Sequence, residues 1–540
     1  MSQFDVFSNK FAYDIYLQKY SMNQIERWSN TCERVVDAVC GQLLDFKTRQ
    51  KIYKYMLDRK FIPGGRYLYS AGRPFHQVNN CFLFRAEDTR EGWAELMHSA
   101  TASLLTGGGI GVDYSSIRHE GAPIKGTGGV CTGPISLMEM VDEAGDRIMQ
   151  GGQRRSAIWA GLNWAHKDIN KFLIKKNHSE DLKALKRKDP KFHLPLESTN
   201  ISVSYDTEFF IAIENKDHEL HEHAQKVWLQ NCRQAFSTAE PGMSINFMRD
   251  RESLRNACTE VTTEDDSDKC NLGTIWMNRC SDVKEFVDII KCAVLFLLCG
   301  GIYSDLPTAK VKQVGNKNNM IGLGLGGIHE WLMTRGYKYQ CVPELHRWLA
   351  TYERESNEAA YVGAKALGVA VPKGVRSIAP NGTIGIIAET TTGIEPLFCK
   401  AYKRRYLKDG KWHYQYVVDG AVKRLLDAGV KIEDIQDSFD ISFKDRVKFQ
   451  ADVQQYVDMA ISSTCNLPQW GTEKNNEETL EENAKILLKY AKRLRGFTAY
   501  PDGCRDGQPL TRVDLMEALT NEGTVFEEKE RECINGVCGI

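Results

Sequence analysis

Across residues 1–60, apolar positions return at helical spacing: Tyr13, Ile15 and Tyr16, then Ile25, Trp28, Val35, Val36 and Val39. This periodicity predicts amphipathic helices, and Pro63-Gly64-Gly65 ends the section. From there to about residue 505, short β-rich runs alternate with helical patterns. The runs Cys81–Phe84, Ile201–Val203, Ile384–Ala388 and Phe497–Tyr500 read as strands, and helices are expected near 91–105, 134–150, 282–299 and 343–366. Such alternation predicts an α/β fold with mostly parallel strands. Residues 176–196 are lysine-rich and read as a solvated excursion, while the chain after about 520 turns acidic and polar and reads as a mobile tail.

Composition narrows the class. The chain has 540 residues, 42% hydrophobic and 26% charged, enough for a sizeable core. At roughly 100–200 residues per domain, it is one large catalytic domain with small appendages or about three domains. Lys+Arg 70 against Asp+Glu 71 leaves a net charge of −1, which removes any whole-chain electrostatic argument for nucleic acid or membrane as partner. The longest uncharged apolar stretch, Cys292 to Tyr303, is too short to span a bilayer and reads as a buried helix. The N-terminal MSQFDVFSNK carries no apolar run that would serve as a signal peptide. The expectation is a soluble, cytoplasmic protein.

Cysteine changes the picture, with 16 residues. In a cytosolic protein these are reduced thiols, so particular pairs point to catalysis or metal binding rather than to staples. No C-x-x-C or H-x-x-x-H pair occurs, His218, His221 and His223 read as a solvated segment, and no metal site is expected. Cys292, Cys299 and Cys341 sit among apolar residues and read as inert core. Cys533 and Cys538 differ: two thiols on a polar C-terminal tether are a liability unless they transfer electrons. A tethered dithiol acts through its high effective concentration at an internal disulfide, which predicts a second pair in the body of the chain.

In Asn256-Ala257-Cys258-Thr259-Glu260 an extended backbone would turn amide, thiol and carboxylate to one side. A carboxylate disfavours thiolate, so this thiol suits hydrogen-atom transfer through its S–H bond, with Glu260 taking a hydroxyl proton nearby. Cys270 in DKCNLG and Cys81 in NNCFLF are each compatible with a core cysteine at a strand end. Ala379-Pro380-Asn381-Gly382-Thr383-Ile384 offers backbone N–H groups to an anion, although the β-branched run after it weakens a helix reading. The glycine-rich, basic segments 121–133 and 150–157 are turns or nucleotide loops. Gly322, Gly324 and Gly327 satisfy G-x-G-x-x-G, but the polar segment before them makes a poor first strand, so close helix packing is the better use of these glycines.

Taken in order, NNCFLF around Cys81, NACTE around Cys258, DKCNLG around Cys270, the 379–398 stretch APNGTIGIIA…GIEPLF and the terminal cysteine pair resemble the catalytic chain of ribonucleotide reductase, from about residue 60 to the end. The resemblance implies a ten-stranded α/β barrel with a central finger loop, in a water-excluding enclosure that protects a radical. It divides the chain into an N-terminal helical region, 1–62, too short for an ATP cone, a barrel, 63–510, and a flexible redox-active tail, 511–540. It implies that Cys258 carries a thiyl radical that abstracts the ribose 3′-hydrogen, that Glu260 accepts the 3′-hydroxyl proton, and that Asn256 binds ribose hydroxyls. Cys81 and Cys270 would be the reducing pair, reopened by Cys533 and Cys538 with a thioredoxin- or glutaredoxin-like reductant as partner. Asn381, Gly382, Thr383 and Ile384 would hold substrate phosphates, with Ser70 and Asn80 near the ribose.

The segments RGFTAYPDGCRDGQPLT and SSTCNLPQW are similar to the adenosylcobalamin-dependent, class II reductases. Tyr500 stands alone where class I chains have a Tyr-Tyr dyad, and the glycyl-radical motif of class III is missing near the C-terminus. The cobalamin signature D-x-H-x-x-G is missing too, which this family does not require. By the same resemblance Asp88, Lys125, Gln150 and Arg154 would bind a nucleoside triphosphate effector, with Arg155 where a smaller residue is common. The alternatives are a class I chain needing a separate metal-radical subunit and a nucleotide-binding regulatory protein without catalysis. The intact Asn256, Cys258 and Glu260 argue against the latter. The sequence is compatible with a diphosphate or a triphosphate substrate and with a monomer or a homodimer.

Overall fold

The structure is a computed structural model and describes residues 5–8, 10–149, 156–189, 191–408, 411–504 and 510–527. Near the N-terminus the helices stand where the periodicity puts them: Lys10–Lys19, Trp28–Cys40 and Phe46–Leu57. The second turns Trp28, Val35, Val36 and Val39 inward. The third is capped by Asp45, which accepts the Thr48 amide. These faces join one core with the helix Val283–Tyr303 and with Trp331, Trp348 and Tyr352. Val283–Tyr303 is long and apolar enough to cross a membrane, yet 67% of its most apolar stretch is buried in the fold. It is the central core helix.

The first strands are β1 (Phe61–Pro63), β2 (Cys81–Arg85), β3 (Gly109–Asp113), β4 (Ile158–Asn163), β5 (Thr199–Tyr205) and β6 (Gly242–Ile245). Short strands β7 (Leu254–Arg255), β8 (Thr262–Thr263) and β9 (Asp268–Lys269) follow, then β10 (Leu272–Trp276) and β11 (Gly322–Gly326). The last are β12 (Ala401–Lys408), β13 (Lys411–Val418), β14 (Thr464–Leu467), β15 (Gly496–Pro501), β16 (Leu510–Arg512) and β17 (Val525–Glu527).

One sheet has the order β14-β15-β6-β5-β4-β3-β2-β9. Strands β2 to β6 run parallel, with β15 antiparallel to β6 and β9 antiparallel to β2. A second sheet has the order β1-β10-β11. Pairing continues from β11 through the bridges Leu323↔Arg376 and Ile378↔Ile461, just ahead of β14. The fold is α/β, as the alternation predicts.

The parallel strands are buried on both faces, as crossover helices require. Phe82, Phe84, Ile110, Val112, Ile158 and Ala160 turn to the helices. The opposite face receives the loop between β7 and β8. A Cβ on Gly111 would lie 1.8 Å from the Arg255 carbonyl oxygen, so this strand position admits the loop only as glycine.

Three local readings are corrected. Residues 384–388 are not a strand: Gly382–Ala388 is a helix, started by Asn381 in the left-handed region at φ 56°. Burial of Ile384, Ile387 and Ala388 overrides the β preference of the branched residues. Residues 256–260 are not extended but turn, the Thr259 amide donating to the Asn256 carbonyl at 2.9 Å with Thr259 at φ 70°. Gly322–Gly326 is itself a strand, and its glycines admit Ser377 and the Trp276 ring rather than a helix.

At the C-terminal side β16, β12, β13 and β17 form a sheet in that order. Residues 511–527, expected in the tail, supply β16, the helix Leu515–Thr520 and β17 to it. The lysine-rich stretch contains the helix Glu180–Lys188, none of whose residues is buried.

Candidate active site

The turn between β7 and β8, the start of β2 and the helix Gly382–Ala388 meet at a cavity of about 210 Å³. Cys81, Cys258, Glu260, Asn80 and Asn381 to Ile384 line it. Cys270 stands directly behind Cys81. Its amide donates to the Cys81 carbonyl at 3.0 Å, and the Cys81 amide donates to the Cys270 sulfur at 2.8 Å. The Cys270 carbonyl accepts the Asn79 side chain at 2.6 Å.

The Cys81 thiol is within hydrogen-bond reach of both other sulfurs. Contact with Cys258 favours its thiolate, while contact with Cys270 and burial oppose it, and the balance holds its pKa well above the ordinary thiol value. The three sulfurs therefore converge on one place, and the Cys81 thiol is held in its protonated form. Cys81 and Cys270 are buried and Cys258 is exposed. A dry enclosure thus holds for the pair, whereas Cys258 is open to the cavity that it lines.

Asn256 and Glu260 are both buried. The Asn256 amide donates to Glu260 Oε1 at 2.8 Å, and its own oxygen accepts the Val261 amide at 3.0 Å. Glu260 Oε2 is buried with no hydrogen-bond partner among the described residues. Burial raises the Glu260 carboxyl to about 7, against the lowering effect of the Asn256 bond. A carboxyl poised there accepts or returns a proton near neutral pH.

Asn381 lies at the start of its helix, its Nδ2 buried with no partner among the described residues. The first amides of a helix have no intrahelical acceptor and carry the positive end of its dipole. A Cβ on Gly382 would meet open space. These features suit an anion.

Of the remaining expected residues, Asn80 accepts the Arg66 amide at 3.3 Å beside the cavity. Ser70 is buried at the end of the helix Gly65–Ser70 and is not among the cavity-lining residues. Asp88 accepts Arg118 Nε at 2.7 Å, and Arg118 also donates to the Pro123 carbonyl at 3.1 Å, tying Asp88 to the loop that carries the exposed Lys125. Gln150, Arg154, Cys533 and Cys538 lie outside the described residues. Among the described residues no cluster of His, Cys, Asp and Glu is placed to hold a metal ion. Sequence reasoning missed Tyr20 and Arg66, which also line the cavity. Arg66 directly follows the Gly64-Gly65 pair, but Tyr20 leaves no sequence signal. It arrives from the N-terminal helices because Gly65 leaves room for its hydroxyl.

Residues 79–245, 222–345 and 373–500 match the family model of the ribonucleotide reductase barrel domain. The chain belongs to the ribonucleotide reductase family. Among its relatives in that family, the vitamin B12-dependent ribonucleoside-diphosphate reductase of Mycobacterium tuberculosis is 26% identical over 86% of this chain and 74% of its own length. The enzyme of the same name from Thermoplasma acidophilum is 26% identical over 88% of this chain and 67% of its own. The residues matched by the family model thus include both sides of the cavity, the start of β2 and the helix Gly382–Ala388.

Proposed function

We propose that this chain reduces ribonucleoside di- or triphosphates to 2′-deoxyribonucleotides by thiyl-radical chemistry, started by adenosylcobalamin. The observation that carries the reading is the meeting of Cys81, Cys258 and Glu260 at one cavity, with Cys270 bonded to Cys81 directly behind it. The relatives' names, which specify vitamin B12 dependence, support the choice of cofactor.

In this reading Cys258, as a thiyl radical, takes the hydrogen atom from ribose C3′. Glu260 takes the 3′-hydroxyl proton, for which Oε2 is available and the raised pKa is suited. The 2′-hydroxyl leaves as water after protonation by a thiol of the reducing pair. Cys81 and Cys270 lose two electrons and two protons in all and close a disulfide, and Cys258 returns its hydrogen atom to C3′. The sum is ribonucleotide plus dithiol to deoxyribonucleotide, disulfide and water. Asn381 to Ile384 hold the phosphates, and Asn80 and Asn256 the ribose side.

The residues present fit the cofactor. Cys258 is the exposed sulfur of the three, the one that a group outside the sheet can reach. The strand directions of β2, β6, β14 and β15 put the apolar cleft of Phe398, Phe439, Leu467 and Tyr500 at the same end of the sheet as Cys81. These four residues, around a cleft of about 190 Å³, would form part of the wall against which the cofactor rests. When bound, adenosylcobalamin supplies the hydrogen-atom acceptor that converts Cys258 to its radical.

The pairing that runs on from β11 to Ile461 supports a ten-stranded barrel around the β7–β8 loop. The Asp88–Arg118 contact supports an effector site for a nucleoside triphosphate there, with Lys125, Gln150 and Arg154. Cys533 and Cys538, reduced by a thioredoxin- or glutaredoxin-like protein, would reopen the internal disulfide in a cytoplasmic enzyme that acts as a monomer or a homodimer.

The test is anaerobic turnover with adenosylcobalamin and no second protein, expected to give deoxyribonucleotide. No product under those conditions would count against the cobalamin reading. Cys258→Ser should abolish product and leave nucleotide binding near normal; retained turnover would overturn the assignment.

A further inference from the structure

The helix Gly382–Ala388 has seven residues, too few to hold itself in place by backbone hydrogen bonds alone. Its start faces the cavity. Its other end is gripped by arginines from three distant segments, on three successive carbonyls. Arg59 donates to the carbonyl of Ile387 at 3.0 Å, Arg279 to that of Ala388 at 2.6 Å, and Arg424 to that of Glu389. The last carbonyls of a helix have no intrahelical partner and carry the negative end of its dipole, so cations there hold it strongly.

Two of these arginines are themselves anchored. Arg59 also donates to the Glu389 carboxylate at 2.7 Å and to the Val6 carbonyl at 2.9 Å. Arg424 makes two hydrogen bonds to Glu330, at 2.9 and 2.8 Å. The Glu389 carboxylate accepts the Ser8 amide and hydroxyl at 2.9 and 2.6 Å. Arg279 reaches Ala388 from the turn after β10 while its Nε is buried with no partner among the described residues. An incompletely satisfied buried guanidinium is costly, and its retained contact is the one that meets this helix.

We propose that Arg279, with Arg59 and Arg424, is a positioning residue for substrate binding: by holding the carbonyl end of Gly382–Ala388, it sets where the amides of Gly382, Thr383 and Ile384 meet the substrate's phosphates. The proposal rests on reading Asn381 to Ile384 as the phosphate site. None of the three arginines lines the cavity, so each acts through the helix. Their effect falls on affinity for the phosphates and not on the radical steps at Cys258.

The test uses the full chain and two readouts: steady-state turnover, and calorimetric binding of inorganic pyrophosphate, which needs no cofactor. Arg279→Gln removes one charge-assisted hydrogen bond and should raise both the substrate KM and the pyrophosphate Kd by about tenfold, with kcat changed less than about twofold. Arg279→Lys should recover most of the loss. Gly382→Asp places a negative charge at the phosphate side and should weaken pyrophosphate binding whatever the arginines do. If Gly382→Asp weakens binding and Arg279→Gln does not, the positioning role is overturned and the phosphate site stands. If neither variant changes pyrophosphate binding, the phosphate site fails and the proposal with it. A fall in kcat with KM unchanged also overturns it. Where Arg279→Gln gives no folded protein, Arg424→Gln, at a side chain 35% exposed, is read by the same criteria.

Discussion

Cys81 and Cys270 oppose each other across the antiparallel pair β2 and β9: the register that matches Phe82 with Lys269 and Leu83 with Asp268 continues to them. Directly opposed residues on antiparallel strands have Cα atoms about 4.5–5.5 Å apart, inside the range a disulfide spans. The pair can therefore close without moving the strands. Enzyme supplied with substrate but no reductant should yield about one product per chain and lose these two thiols, as read by thiol titration and peptide mass mapping. Cys81→Ser and Cys270→Ser should each lose sustained turnover. Undiminished cycling in either would remove it from the pair.

Glu260 gives a pH dependence with two opposite senses. As a base it must be ionised, so kcat/KM should rise with pH through about 7 and level off above. For stability, the folded chain holds this proton more tightly than the unfolded chain does at the ordinary value of 4.5. That contribution is complete below about 4.5 and is lost as pH rises through about 7, by at most about 3 kcal/mol. Glu260→Gln should cut kcat by about 10²–10⁴-fold and remove this pH dependence from the melting temperature. A wild-type rate flat from about pH 5.5 to 8.5 would contradict the role.

Asn256 tunes that carboxylate. Its hydrogen bond to Oε1 favours the ionised form, so Asn256→Ala should move the acid limb of the rate profile upward by about one pH unit. An unmoved limb in kcat/KM would separate Asn256 from the proton-transfer step.

Gly111 carries a structural prediction. Its Cβ as alanine would lie 1.8 Å from the Arg255 carbonyl oxygen and 3.1 Å from the carbonyl carbon of Asn256. Gly111→Ala should therefore displace the loop that bears Cys258, cost about 1–3 kcal/mol in stability and abolish most turnover. Calorimetric melting together with product formation checks both. An unchanged melting temperature with full activity would mean that the loop does not seat against β3.

The tail is tested by reductant choice. Replacing Cys533 or Cys538 should stop cycles driven by a thioredoxin-like protein and spare those driven by a small dithiol. Equal loss with both reductants would rule out a relay.

Local pattern located many of the elements correctly, because each of them repeats a short period. The helices at Arg90–Leu105 and Pro343–Leu367 and the strands at Cys81–Arg85 and Thr199–Tyr205 are examples. It failed where tertiary contacts outweigh local preference. Thr383, Ile384, Ile386 and Ile387 favour a strand, yet burial of Ile384 and Ile387 behind a left-handed Asn381 makes them a helix. Alternation in Asn256–Glu260 suggested an extended segment, while the bond from the Thr259 amide to the Asn256 carbonyl makes it a turn.

By itself, then, the chain's sequence determined which residue types are available for the chemistry and in what order they come: three body cysteines, a carboxylate two residues beyond one of them, an amide two before it, and a small-residue anion loop. Motif spacing is enough for that, since it records covalent neighbours. Only the tertiary structure decided that Cys81 and Cys270 are opposed across a strand pair, that burial raises Glu260 to about 7, and that Tyr20 lines the cavity while three remote arginines grip the helix beside it. Those depend on desolvation and on contacts between residues far apart in the chain, whose energies no local window contains.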